Sequence, residues 1–240
     1  MEILKLFNKK TIFNLPLYKL ALVSITLVLI TSFSIIYSEP VFKVLPLYVS
    51  VAVMIMQTGG NRYALLLGSL NSVVYAIVYF FIVKIPAAGI SSLAISFPLQ
   101  LIGFINWSRK PYGNSTVFKK MGKKEWLISP VIYAILWGIF WVLTVELPIF
   151  ESDFPLLDVT TSAFGTYVTI LQLLSYIEFP YLNLINCLLS AYLAIEIMVS
   201  GTPGHATYVT QSIYNIICVV ITAISITKLY NEQHKKGETR

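Results

Sequence analysis

Fifteen of the seventeen Lys and Arg residues fall in three clusters and one short turn, and between them the chain is apolar over lengths that can cross a bilayer. Lys5, Lys9, Lys10 and Lys19 accompany the first apolar stretch, and Arg62 stands in the turn Gly59-Gly60-Asn61-Arg62. Arg109, Lys110, Lys119, Lys120, Lys123 and Lys124 lie between Trp107 and Trp126, and Lys228, Lys235, Lys236 and Arg240 follow the last apolar stretch. Only Lys43 and Lys84 stand apart. With 57% hydrophobic and 12% charged residues, a water-soluble globule would lack the polar surface to cover itself. The pattern defines a multi-pass membrane protein whose basic segments mark the cytoplasmic side. The net charge of +6 sits directly beside the apolar stretches with no nucleic-acid-binding motif around it, so it orients the chain and no nucleic acid partner is expected.

A helix needs about 20 apolar residues to cross the hydrocarbon. Eight spans are predicted, over residues 20–37, 44–57, 63–83, 88–106, 127–145, 155–174, 180–200 and 207–229. The first two are separated at Ser38-Glu39-Pro40, where a proline could instead kink one long hairpin. An even number puts both termini, the Arg62 turn and the central basic segment inside, with Glu39, Lys43, Lys84, Glu146, Glu151 and Asp153 outside. An odd number would strand one basic terminus on the wrong face. No small-x-small cleavage site follows Ile36, so the first span is read as retained.

Weak internal similarity points to duplication. Asn71 and Asn186 are each followed five residues later by alanine, and the fourth and eighth spans carry Gln100 with Asn106 and Gln211 with Asn215. A three-helix unit reverses direction, so a parallel copy needs one intervening helix, and the fifth span, with Trp137 and Trp141, suits that role. The expected fold class is all-α integral membrane: two parallel three-helix bundles (44–106 and 155–229) joined by a linker helix (127–146). One extra N-terminal helix (1–38) and a cytoplasmic tail (230–240) complete a single transmembrane domain.

Several spans carry a polar stripe. Asp158, Thr161, Gly165, Thr169 and Gln172 recur at helical spacing. Asn183, Asn186 and Ser190 do the same, as do Gln211, Asn215, Cys218 and Thr222, then Ser96, Gln100 and Gly103, then Gly68, Asn71 and Tyr75. One reading is interhelical glue, each bond contributing about 0.6 kcal/mol. The other is a hydrated path for a polar solute, and five stripes missing from the fifth span favour it. Carboxamides offer donor and acceptor without charge, which suits a neutral polyhydroxylated or amide-bearing ligand. The candidate binding residues are Gln100, Gln172, Asn186, Asn183, Asn71, Thr169, Gln211 and Asn215, with Phe179, Tyr181, Tyr75 and Trp107 as aromatic stacking candidates.

Asp158, Glu178 and Glu196 lie toward span ends within reach of water, where capping the following helix or pairing with a lysine explains them better than proton coupling. His205 is a lone loop histidine. Cys187 and Cys218 read as small apolar fillers within spans. The sequence holds no nucleotide-binding P-loop, no His-Glu-x-x-His, no Gly-x-Ser-x-Gly and no Cys-x-x-Cys. No catalytic set, metal site or cofactor is therefore expected, and a membrane enzyme is disfavoured; a non-transporting scaffold subunit remains an alternative.

Leu157-Asp158-Val-Thr160-Thr161, Gln172, Tyr176-Ile177-Glu178 and Asn186 together resemble the PnuC family of bacterial vitamin transporters. Phe97-Pro98-Leu99-Gln100-Leu101-Ile102-Gly103, ending in Asn106-Trp107 and Arg109-Lys110, resembles the family's Pro-x-Gln-x-x-Gly helix. The resemblance implies a fold similar to the sugar-transporting SWEET proteins, a homotrimer in the bacterial cytoplasmic membrane, and facilitated diffusion of nicotinamide riboside or a related unphosphorylated vitamin or nucleoside trapped by a cytosolic kinase. It also implies that Gln172, Asn186 and Gln100 contact ribose or heterocycle, and that Glu178 shapes an inner gate. Where riboside-transporting members resemble Trp-x-x-Trp after the glutamate, this chain has Phe179-Pro180-Tyr181-Leu182-Asn183. A deoxynucleoside or thiamine is thus an alternative substrate.

Overall fold

The structure is a computed structural model that describes residues 17–83, 86–146, 153–200 and 206–237. Lys5, Lys9, Lys10, Lys84, Glu151, His205, Arg240 and the side chain of Lys236 lie outside the described residues, and with them the readings placed on them. Helices α1 (Leu17–Ile36), α2 (Val41–Gln57) and α3 (Tyr63–Val78) come first. A short α4 (Pro86–Ile90) runs through a π-helical stretch (Ser91–Ser96) into α5 (Phe97–Arg109). Then follow α6 (Lys123–Trp141), α7 (Pro155–Leu173), α8 (Phe179–Val199) and α9 (Ala206–Gly237). Two further π-helical stretches, Tyr79–Val83 and Val142–Glu146, extend α3 and α6.

Six of the described helices are long and apolar enough to cross a bilayer, so this is a multi-pass membrane protein. Helix α2 is shorter, and α7 is the one that carries the longest polar stripe. Ser38, at φ 51°, and Pro40, in extended conformation before α2, make the first two spans separate helices. Large apolar side chains that face outward, such as Val28 at 64% and Leu127 at 79% exposure, suit a lipid surroundings rather than water.

Helices α2, α3 and α5 pack together, as do α7, α8 and α9. Across the molecule α2 packs on α9, and both α4 and α5 pack on α7. Helix α6 leans on α7, and α1 fills the groove between α2 and α9. Cys187 and Cys218 are buried in the apolar cluster of α1, α2, α8 and α9 that includes Ile30, Leu47 and Tyr214.

The basic central segment, read from the sequence only as cytoplasmic, has local structure. Pro111–Tyr112 and Ser115–Thr116 form a small antiparallel ladder turned by Gly113 at φ 59°, where only glycine is unstrained. Lys119 then bonds through its backbone to Ser175 and Ile177, the turn between α7 and α8. Residues 230–237 continue α9 as helix, and Gln233 accepts from the Phe118 backbone N–H and donates to the Thr116 carbonyl. This hairpin supplies the partners that hold the helix past the span end.

Candidate functional site

The polar stripes of α3, α5, α7 and α8 meet around one cavity of about 300 Å³, to which α2 adds Ser50 and Gln57 and the α9 stripe adds nothing. Of the eight sequence-predicted binding residues, Asn71, Gln100, Thr169, Gln172, Asn183 and Asn186 line it, together with Tyr75. Gln211 and Asn215 do not. They line a second chamber of about 180 Å³ toward the other end of the bundle, with Leu47, Leu193, Ala194, Ile197 and Tyr208. The chambers share Tyr75, Tyr79, Ala88, Thr161 and Ser190 as common wall. We call them near and far, the near one lying toward the basic turns.

Two glycines make room for the amides. A Cβ on Gly68 would collide with Gln100 Oε1, and one on Gly165 would come within 3.2 Å of Asn186 Nδ2. The stripe's helical spacing therefore serves both to line the cavity and to let a facing carboxamide approach.

The near cavity presents acceptors. Ser72 and Thr169 donate their hydroxyl protons to the carbonyls of Gly68 and Gly165, one turn earlier on their own helices. Asn71 Nδ2 donates to the Pro46 carbonyl at 3.0 Å, and its Oδ1, like that of Asn186, is buried with no protein partner. Gln100 Nε2 reaches Ser72 Oγ at 3.4 Å. In the far chamber Gln211 Nε2 donates to Ser50 Oγ at 3.2 Å and Asn215 Oδ1 at 2.8 Å, leaving Oε1 buried and unpartnered. No Asp, Glu, Lys, Arg or His lines either chamber among the described residues.

The carboxylates are structural in a way the sequence did not reveal. Asp158 is fully buried rather than water-accessible. It accepts from the backbone N–H groups of Ala87 and Ala88 at 3.0 Å, at the start of α4, and from Ser162. Burial of this carboxylate is tolerated because those donors replace its water. Glu178 is also buried, and its Oε1 accepts from the Met121 N–H at 3.0 Å, pinning the central segment to the start of α8. Glu39 accepts from Lys43 Nζ at 3.1 Å and from Thr207 Oγ1, tying α2 to α9 at the far end.

The aromatic candidates divide. Trp107 is buried and donates Nε1–H to the Gln172 carbonyl at 3.0 Å, and Phe179 packs in the same apolar cluster, so neither faces a chamber. Tyr181 is half-exposed and bonds Thr227. Tyr75 does face the chambers, stacked on Tyr79 with ring centroids 5.2 Å apart. Tyr79 was missed by the sequence reading, although its i+4 spacing from Tyr75 was the signal that could have found it. Ser50, Ser91 and Ser92 join it as unanticipated lining residues. Among the described residues no group of three or more His, Cys, Asp or Glu could hold a metal ion.

A helical membrane protein built around an uncharged polar cavity belongs to the class of solute-handling proteins, and the comparisons agree. A profile described as the nicotinamide mononucleotide transporter family matches residues 40–227, and the chain belongs to that family of membrane transporters. The fold is similar to a solved structure titled "Crystal structure of the Vitamin B3 transporter PnuC", with a TM-score of 0.77 at 15% identity, covering 91% of this chain and 94% of that one. No curated protein matches the sequence.

Proposed function

We propose that the protein carries an unphosphorylated, nucleoside-like vitamin of the nicotinamide riboside class across the membrane by facilitated diffusion. The observation that carries this reading is the lining: amides, hydroxyls and tyrosines, with no Lys or Arg among the described residues of either chamber. A phosphate group would have to shed its water there without an Arg or Lys to replace it, at a cost of several kcal/mol. A solute rich in hydroxyl and N–H donors, neutral or carrying one positive charge, meets a wall of acceptors instead. Retention inside the cell would then fall to a cytosolic kinase that adds the phosphate the cavity rejects.

The same reading takes the molecule as three helices, a linker and three more. Support comes from the packing, in which the first helix of each bundle touches the last of the other (α2 with α9, α5 with α7) as a parallel two-fold relation requires. Helix α1 is then the addition and α6 the linker. The apolar outer face of α6, including Leu127, Val131 and Ile135, would meet lipid or neighbouring copies in a homotrimer. Bacterial cytoplasmic membrane and cytoplasmic termini complete the proposal, from the side on which the basic clusters fall.

Deoxynucleoside or thiamine carriage is the second reading, favoured by the displacement of Phe179 and Tyr181 from the cavity. A thermal-shift series on detergent-purified protein separates them. A ligand present at about 100 times its dissociation constant stabilises by about 2.7 kcal/mol. The proposal expects a shift with nicotinamide riboside and none with the mononucleotide. A shift with the mononucleotide alone, or with none of riboside, thiamine and deoxynucleosides, would overturn it.

A further inference from the structure

We propose that the outer face of α9 at the near end holds one membrane phospholipid with an amine-bearing headgroup. Its phosphate lies between Lys228 and Lys235, its ammonium on Glu232, and an acyl chain along Ile224, Val220 and Ile217. The groove that holds it shares no lining residue with either chamber, so the site stands whatever solute the cavity carries.

The pattern begins in the sequence. Ile213, Ile217, Val220 and Ile224 follow one another at intervals of three or four residues, and Lys228, Asn231 and Lys235 continue the same series. One face of α9 therefore carries them all, and each is exposed. That face is apolar up to Ile224 and charged or amide-bearing from the next turn on. A polar solute would leave the apolar part uncovered, whereas a lipid presents tail and headgroup in the same order.

The change of character falls at the membrane boundary. Tyr181, half-exposed near the start of α8, shares a 2.7 Å hydrogen bond with Thr227, and the turn before α8 is the one held by the basic central segment. Tyrosine beside lysine at the end of a span marks the headgroup level. At this level Ile224, Thr227, Lys228, Asn231, Glu232 and Lys235 border a groove of about 410 Å³, with Ile224, 67% exposed, toward the hydrocarbon.

The headgroup follows from the charges. Lys228 and Lys235 stand two turns apart, about 10.5 Å along the helix, with Glu232 between them in the chain. A phosphate between the lysines is matched by both but meets the Glu232 carboxylate as a like charge. An ammonium joined to that phosphate by a short ethylene link satisfies the carboxylate, and it donates N–H bonds that Glu232 and the Asn231 side-chain carbonyl accept. A fully methylated ammonium has no N–H to donate, and a glycerol headgroup has no cation for Glu232. Bonds among exposed charges of one helix are weak, so they yield to a ligand that meets all three.

Native mass spectrometry of the delipidated full-length protein tests this, by titration in turn with phosphatidylethanolamine, phosphatidylglycerol and phosphatidylcholine of identical acyl chains. The first lipid retained should be phosphatidylethanolamine, bound about fivefold more tightly than either other lipid, the upper range for one exposed charge pair. Glu232→Gln should abolish that preference and raise phosphatidylglycerol to at least equal affinity. Lys228→Gln combined with Lys235→Gln should weaken all three lipids, whereas Lys124→Gln, in the first turn of α6, should change neither order nor affinity. These side chains are all exposed, so each variant should fold. Equal retention of the three lipids by the unaltered protein overturns the proposal, as does a preference that survives Glu232→Gln. A second copy on this face would show as an oligomer that Ile224→Trp dissociates while lipid retention stays the same, and that result overturns it too.

Discussion

The two ends of the molecule are fastened differently. At the near end main chain meets main chain, Lys119 bonding to Ser175 and Ile177 and the Arg62 N–H to the Asn114 carbonyl, beside the side-chain bonds of Glu178 and Gln233. At the far end the ties run through side chains, from Asp158 to α4 and from Glu39 to Lys43 and Thr207. All three π-helical stretches also fall in the far half of their helices. A backbone ladder breaks only if a segment unfolds, whereas a side-chain tie breaks by a change of rotamer. The near end therefore carries a backbone anchor to the central segment that the ties of Asp158 and Glu39 do not supply at the far end.

Removal of the Asp158 carboxylate should have the largest effect. Asp158→Ala removes the acceptor of two N–H groups at the start of α4, that of Ala87 buried and that of Ala88 partly so, and a loss of about 3 kcal/mol is expected, read as a lowered midpoint of thermal unfolding in detergent. A midpoint unchanged within error would remove Asp158 from the far-end ties. Next comes Gly68→Ala, whose Cβ collides with Gln100 Oε1. Displacing that carboxamide should lower solute uptake by on the order of tenfold or more while unfolding changes less. Uptake at the original rate would show that Gln100 has no part in binding.

Glu39→Gln sharpens the contrast between the ends. It weakens the bonds to Lys43 and Thr207, both buried, so the far end should open more readily; labelling of a cysteine introduced at Ser212 in the far chamber should speed up by a few-fold. No change in labelling would mean that the tie does not control access. The smallest effect belongs to Gly113→Ala at the near end. Its φ of 59° strains any side chain while nothing lies within 4 Å of the new methyl, so about 1 kcal/mol is expected, with uptake unaffected.

Much of this architecture was legible because hydropathy and helical periodicity are local properties of a chain. The stripes Asp158 to Gln172, Asn183 to Ser190 and Gly68 to Tyr75 announced which face of each helix turned inward, and those faces do converge. What periodicity cannot give is the partner across the bundle. Asp158 finds Ala87 and Ala88, some 70 residues away in the chain, and a local reading could offer it only its own helix or a lysine. Phe179 and Tyr181 failed as lining residues for a related reason. They stand where riboside-transporting members resemble Trp-x-x-Trp, but Phe179 turns into the cluster with Trp107 and Tyr181 turns outward to Thr227. The separation of Gln211 and Asn215 into a chamber of their own depends on depth along the bundle, which a stripe does not encode.

Uptake into proteoliposomes loaded with buffer tests the central claim, that an uncharged acceptor-lined cavity is the route of a dephosphorylated solute. Radiolabelled nicotinamide riboside should enter saturably and equilibrate without a pH or sodium gradient, the mononucleotide should not enter, and Asn186→Leu should reduce riboside entry by on the order of tenfold or more. Entry of the mononucleotide at a comparable rate, or riboside entry indifferent to Asn186→Leu, would contradict it.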